Sequence, residues 1–195
     1  RLRAMTDFLA ELQAERGRLV DTVEALSDDE FDHGPTLCEG WAPRDVLAHV
    51  VGVNDMHRYL RAGRLRRANE QMVAAGRRMT RQELIAAGRR AASQPSAISR
   101  LTAPVLLGDV AVHHQDVLRG LGRSRELPVA VERAIFREGL NLGLWKGMRT
   151  LRYRLVPTTA DLRPVGRGPV VTGTAEALGM WLAGRESVRS ELTFE

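Results

Sequence analysis

The stretch Leu37-Cys38-Glu39-Gly40-Trp41-Ala42-Pro43-Arg44-Asp45-Val46-Leu47-Ala48-His49 reads as a loop that turns into a helix. Gly40 punctuates the loop, and Pro43 suits a first helical position, where its missing N–H costs nothing. Val46, Leu47, Val50 and Val53 then recur at helical spacing, which predicts a helix from Pro43 through Tyr59 to about Gly63. His49 falls near its middle, among apolar residues.

The same periodicity extends on both sides. Upstream, Phe8, Leu9, Leu12, Leu19, Val20, Val23 and Leu26 predict an amphipathic helix with Thr6 as its N-cap, followed by a capping box over Ser27–Glu30. Downstream, the heavily charged stretch 64–93 is split by a second capping box, Thr80 with Glu83, and its charged face is expected in solvent. Pro104 opens a helix that carries Val105, Leu106, Val110, Val112 and Val117 and closes at Gly120–Gly122. Pro128 opens another, with Val131, Ile135, Leu142 and Trp145 on its apolar side. Past Tyr153 the texture changes, because Pro157, Pro164, Gly166, Gly168 and Pro169 interrupt short runs suited to strands. A hairpin is expected around Gly166–Gly168, then a last helix from Thr174 to Ala183. The plan is therefore mainly α: four or five core helices over 1–150, and a small α/β extension over 151–195 packed on them.

The 195 residues are 44% hydrophobic and 27% charged, ordinary values for one globular domain. The net charge of +5 is almost all arginine, since Lys146 is the only lysine. This bias reads as the codon usage of a genome rich in G and C. The arginines are scattered and aromatic residues make up only 5%, which argues against a nucleic-acid binder. A single cysteine, Cys38, excludes an internal disulfide or a multi-cysteine zinc site and fits a reducing compartment. No apolar run approaches the roughly 18–20 residues of a membrane span, and no secretory leader is evident. A cytoplasmic protein with no membrane or nucleic-acid partner is expected, as a monomer or homodimer.

Asp109 and His113 stand four residues apart in a helical segment, so both side chains share one face one turn apart. His49 could join them from its own helix. Two imidazoles and a carboxylate suit zinc, and also nickel, iron or manganese, with a coordination position left open. On spacing alone the plainer readings stand beside this one: a surface carboxylate–histidine pair, and a hydrogen-bonded core histidine.

The stretch ending in His49 and the run Asp109-Val110-Ala111-Val112-His113-His114-Gln115-Asp116 together resemble the two motifs of the DinB-like, mycothiol-dependent maleylpyruvate isomerase family. The tail Gly173–Leu178 with Leu182-Ala183-Gly184-Arg185 is similar to that family's end. The resemblance implies an up-and-down four-helix bundle, a divalent ion held by His49, Asp109 and His113, and mycothiol as thiol cosubstrate. It implies metal-assisted thiol transfer or isomerisation of a small electrophile, with Arg185 a candidate holder of a carboxylate. In the isomerase proper the helix-pair carboxylate is glutamate. Asp109 is one methylene shorter, so the helices must approach more closely or a water must intervene. The alternative is a non-enzymatic bundle with a metal site and a binding or regulatory role.

Other residues carry two readings each. Cys38 is either a thiol activated by the following helix N-terminus or a packing residue beside Trp41, the plainer choice. Asp45 either accepts the His49 N–H or simply complements the helix dipole. Asp116 either orients His113 or pairs with an arginine. His114 points about 100° away from His113 on a helix and is expected near the rim or in solvent.

Overall fold

A computed structural model describes residues 2–54 and 65–195, and the chain is mainly helical with a small sheet near its C-terminal end. It divides into two compact units, Arg1–Ser124 and Arg125–Glu195. The sequence reading placed the boundary near residue 150. The helix Val129–Trp145 instead packs with the last α-helix, Ala175–Leu182, inside the C-terminal unit.

The first unit contains α1 (Leu2–Glu24), α2 (Asp28–His33), α3 (Pro43–Val53), α4 (Leu65–Gly76), α5 (Arg81–Ser93), α6 (Ala97–Leu101) and α7 (Ala103–Gly120). Helix α1 starts before Thr6, so that residue lies inside it. Both expected capping boxes form: the Ser27 and Thr80 hydroxyls accept from the Glu30 and Glu83 backbone N–H groups, and each glutamate reaches back to its cap. At α3 the capping residue is Ala42, which has no side-chain acceptor, and the Asp45 carboxylate takes the Ala42 N–H at 3.1 Å instead. The expected continuation of α3 to Gly63, with His57 and Tyr59, lies outside the described residues.

Helix α1 packs on α3, α5 and α7, and α3 packs on α4, α5 and α7. Their common core is Leu12, Leu19, Val23, Val46, Leu47, Leu107 and Val110, all buried. The charged 64–93 stretch also has an inner face, because Ala68, Met72, Val73 and Leu84 are buried. Arg16, only 1% exposed, crosses this core, donating to Asn54 Oδ1 and Ala91 O at 3.0 Å each and to Ser99 Oγ at 3.4 Å. Burial lowers its pKa to about 10 against the opposing pull of Asp109, and these acceptors compensate a charge that would otherwise be costly to bury. Among the described residues no helix is long and apolar enough to cross a membrane.

The second unit contains α8 (Val129–Trp145), α9 (Arg149–Arg152), β1 (Arg154–Pro157), β2 (Val165–Gly166), β3 (Val170–Gly173), α10 (Ala175–Leu182), a 3₁₀ turn (Glu186–Glu191) and β4 (Thr193–Phe194). Helices α8 and α10 meet through glycines: a Cβ on Gly139 would lie 2.4 Å from Gly179 O, and one on Gly179 would lie 2.5 Å from Ile135 O. Trp145, expected on the apolar side of α8, is 88% exposed.

The strand order is β2-β1-β3-β4, with β1 parallel to β3 and antiparallel to β2. The hairpin expected at Gly166–Gly168 is therefore not formed between its flanking strands. Both glycines take positive φ, +87° and +105°, and press on the start of β1, where side chains would collide with Tyr153 O and Arg152 O. The chain thus wraps around the β1 end, so that its two arms pair on opposite edges of β1.

Candidate metal centre

The segment before α3 is tied down on α7. Leu37 N donates to Asp116 O at 3.0 Å, the Thr36 hydroxyl donates to Trp41 O at 2.8 Å, and Gly120 lets the Pro35–Thr36 backbone approach where a Cβ would sit 2.4 Å from it. This fixes Trp41 as a wall. Its ring centroid lies 5.4 Å from that of His49 and 5.9 Å from that of His113, the latter stacked at 27°.

Helix α3 supplies His49 and helix α7 supplies Asp109 and His113. His49 Nε2 lies 3.5 Å from Asp109 Oδ2, and His113 Nε2 lies 3.7 Å from Asp109 Oδ1. One donor atom from each of the three residues falls within 4.8 Å of the others. Two ligands of one zinc ion at bond lengths near 2.0–2.1 Å and the tetrahedral angle lie about 3.3–3.4 Å apart, so the two carboxylate separations suit a shared ion. His49 is 3% exposed, and neither of its ring nitrogens has a hydrogen-bond partner among the described residues. A buried imidazole without partners is costly, and a cation beside Nε2 would satisfy that nitrogen. The residues therefore fit a divalent ion. The Asp109 side chain is 27% exposed, so the cluster is reachable from solvent. A cavity of about 390 Å³, lined in part by Cys38, Trp41, Asp45 and Arg77, opens beside Trp41. The shorter aspartate reaches both histidine rings within 3.7 Å because α3 and α7 pack directly on each other.

His113 is held from behind. Its Nδ1 lies 3.0 Å from the fully buried Asp116 Oδ2, and the Cys38 thiol donates to the same oxygen at 3.0 Å while sitting 3.4 Å from His113 Nδ1. A carboxylate on Nδ1 favours the proton there, so the proton a metal ion would displace is the one on Nε2, which faces Asp109. Burial opposes protonation of His113, but the Cys38 sulfur, the Asp116 hydrogen bond and the Asp109 charge outweigh it, holding the pKa well above the usual histidine value. Cys38 is thus joined to His113 and Asp116, a grouping that His113–Asp116 spacing hints at but that Cys38, far away in sequence, does not announce.

Asp45 and Asp116 each carry two readings, and the contacts decide between them, while the expectation for His114 is corrected. Asp45 does not serve His49, because Arg77 clamps it through Nε at 2.9 Å and Nη2 at 2.8 Å. His114 is not at the rim: it is 1% exposed, with Nδ1 2.8 Å from Glu15 Oε1 and Nε2 2.8 Å from Thr22 Oγ1. The 100° offset carries it into the bundle interior toward α1. For Asp116, the arrangement found is the one that orients His113. Arg185 lies in the second unit, where its Nη1 donates to Ala183 O at 2.9 Å.

Residues 12–104 match the family model described as the mycothiol maleylpyruvate isomerase N-terminal domain. Two solved structures resemble the whole chain: the crystal structure of the mycothiol-dependent maleylpyruvate isomerase, with a TM-score of 0.68, and that of a variant in which a histidine is replaced by alanine, with a TM-score of 0.67. Each is 17% identical, and each alignment covers 98% of this chain and 92% of the other, a likeness of fold. No curated protein sequence matches the chain.

Proposed function

We propose, from the match of residues 12–104 to the family model described as the mycothiol maleylpyruvate isomerase N-terminal domain, that this chain is a metal-dependent enzyme using mycothiol on a small electrophilic substrate, by thiol transfer or isomerisation. The observation that carries the reading is the convergence of His49, Asp109 and His113, with both His49 nitrogens buried and lacking hydrogen-bond partners among the described residues. Zinc is the favoured ion for this donor set, with nickel, iron or manganese as alternatives. A divalent ion there supplies a Lewis-acid position at which a thiol loses its proton near neutral pH.

The chain's own residues do the rest. Asp116 holds the His113 proton at Nδ1 and so keeps Nε2 available as a ligand. Trp41 covers both imidazoles and excludes water from that side. The partly exposed Asp109 side is where a thiol can approach. The protein needs no nucleophile of its own, since the cosubstrate brings the sulfur. A reaction that depends on a free thiol belongs in a reducing cytoplasm.

The test is metal analysis of protein purified without a histidine tag, followed by Co²⁺ substitution and addition of mycothiol or a simpler thiol. A sulfur-to-cobalt charge-transfer band that strengthens from acid toward neutral pH is expected, because a proton must leave as sulfur binds. Spectra unchanged at saturating thiol, with the metal shown to be present, would overturn the enzymatic reading in favour of a non-enzymatic metal-binding bundle.

A further inference from the structure

The C-terminal unit has a cavity of its own, about 600 Å³ in volume, within the range of small-molecule sites. Its lining draws on the α8–α9 turn, the end of α10 and the 3₁₀ turn, all inside that unit. Four of the lining side chains are cations, Lys146, Arg149, Arg152 and Arg189, and one is an acid, Glu186. The acid is taken: Arg149 pairs with Glu186, donates to Trp181 O at 2.6 Å and lies 4.8 Å over the Trp181 ring. Arg189 stacks 4.1 Å over Phe194, and neither it nor Lys146 nor Arg152 pairs with a carboxylate among the described residues. Positive charges gathered in one concavity repel one another and focus a field that attracts anions.

The walls add a second feature. Trp145, Tyr153 and Trp181 line the same cavity, and Trp145, 88% exposed, is the largest exposed apolar side chain among the described residues. Trp181 Nε1 is buried and finds no acceptor among the described residues, so the protein supplies none for it. Arginines with indole and phenol rings form a surface suited to a planar or ring-bearing anion.

We infer that this cavity is a binding site for a small organic dianion, whose two negative charges are borne by a phosphate monoester or by a pair of carboxylates. Arg152 and Lys146 are its principal charge partners. Arg149, already clamped by Glu186, forms a rigid floor. Its lining residues all belong to the C-terminal unit, whereas His49, Asp109 and His113 belong to the first, and the site requires no metal ion.

The chain carries three tryptophans, and Trp41 belongs to the other unit, so the indole N–H signals of ¹⁵N-labelled protein contain an internal reference. Trp41→Phe and Trp145→Phe assign them. Titration with phenyl phosphate, inorganic phosphate and succinate is compared with chloride at equal ionic strength. The expected result is a saturable shift of the Trp145 and Trp181 signals with Trp41 unmoved, weakened at least fivefold by Arg152→Gln and by Lys146→Gln and unchanged by Arg90→Gln, a surface arginine of the other unit. Saturation by the phosphates alone assigns the phosphate source, and saturation by succinate alone assigns the dicarboxylate; either supports the site. Absence of saturable shifts with every dianion, equal shifts with chloride, or an equal loss in Arg90→Gln would overturn it.

Discussion

Replacing Asp116 with asparagine isolates the contribution of a carboxylate that never touches the proposed ion. In the native site one buried oxygen, Asp116 Oδ2, accepts from both His113 Nδ1 and Cys38 Sγ at 3.0 Å. Asparagine keeps the shape and removes the charge. A charge-assisted hydrogen bond contributes about 1.5–3 kcal/mol and a neutral one about 0.5–1.5 kcal/mol, so the bond to Nδ1 weakens by about 1–1.5 kcal/mol. If the amide turns its NH₂ toward Nδ1, the imidazole proton moves to Nε2 and blocks the ligand position as well. The sum agrees with the roughly 10–100-fold loss of metal affinity typical of such outer partners, about 1.4–2.7 kcal/mol. The assay is Zn²⁺ or Co²⁺ titration by calorimetry with chelator competition, alongside thermal melts to show that the variant is folded. Asp116 also raises the His113 pKa. Its loss therefore reduces proton competition in acid, and the affinity deficit should be largest at pH 8 and shrink as pH falls. A folded variant with affinity within twofold of the parent at pH 8 would refute the reasoning.

His113→Ala should abolish tight metal binding while the bundle stays folded, read by the same titration with circular dichroism; unchanged affinity would remove His113 from the ligand set. In metal-free protein the raised pKa of His113 gives stability that is fully present below the ordinary histidine value and is lost as pH rises through the raised one. The difference in Tm between parent and His113→Gln should accordingly narrow from acid to alkaline pH. Glu15→Ala strips the buried His114 and Arg18 of a shared carboxylate and should cost about 3–5 kcal/mol in denaturant unfolding. Gly179→Ala drives a methyl into the Ile135 backbone and should lower stability by about 1–3 kcal/mol or more, whereas Gly17→Ala, with nothing within 4 Å of its Cβ, should be neutral or slightly stabilising.

Helices with repeating apolar positions, capping boxes at Ser27 and Thr80, and Pro43 and Pro104 near helix starts were legible along the chain, because each depends on residues within one or two turns. The convergence of His49 with Asp109 and His113 was suggested by spacing and by resemblance to known motifs, since the i,i+4 pair already shares a helix face. Where each carboxylate would bind was not legible. Asp45 and Asp116 looked alike in sequence, yet Arg77 claims the first and His113 the second, and that choice is made by helices packing side by side. His114 shows the same limit: its direction from the helix axis follows from the sequence, but whether that direction meets water or Glu15 depends on where α1 lies. The sheet order and the placing of α8 in the C-terminal unit likewise rest on contacts between distant residues, Gly166 with Tyr153 and Gly139 with Gly179. Local periodicity determines which segments form helices and which faces are apolar, because backbone hydrogen bonding and amphipathicity act over a few residues. Pairing between segments depends on shape and charge matched across the whole chain, and only the tertiary structure decides it.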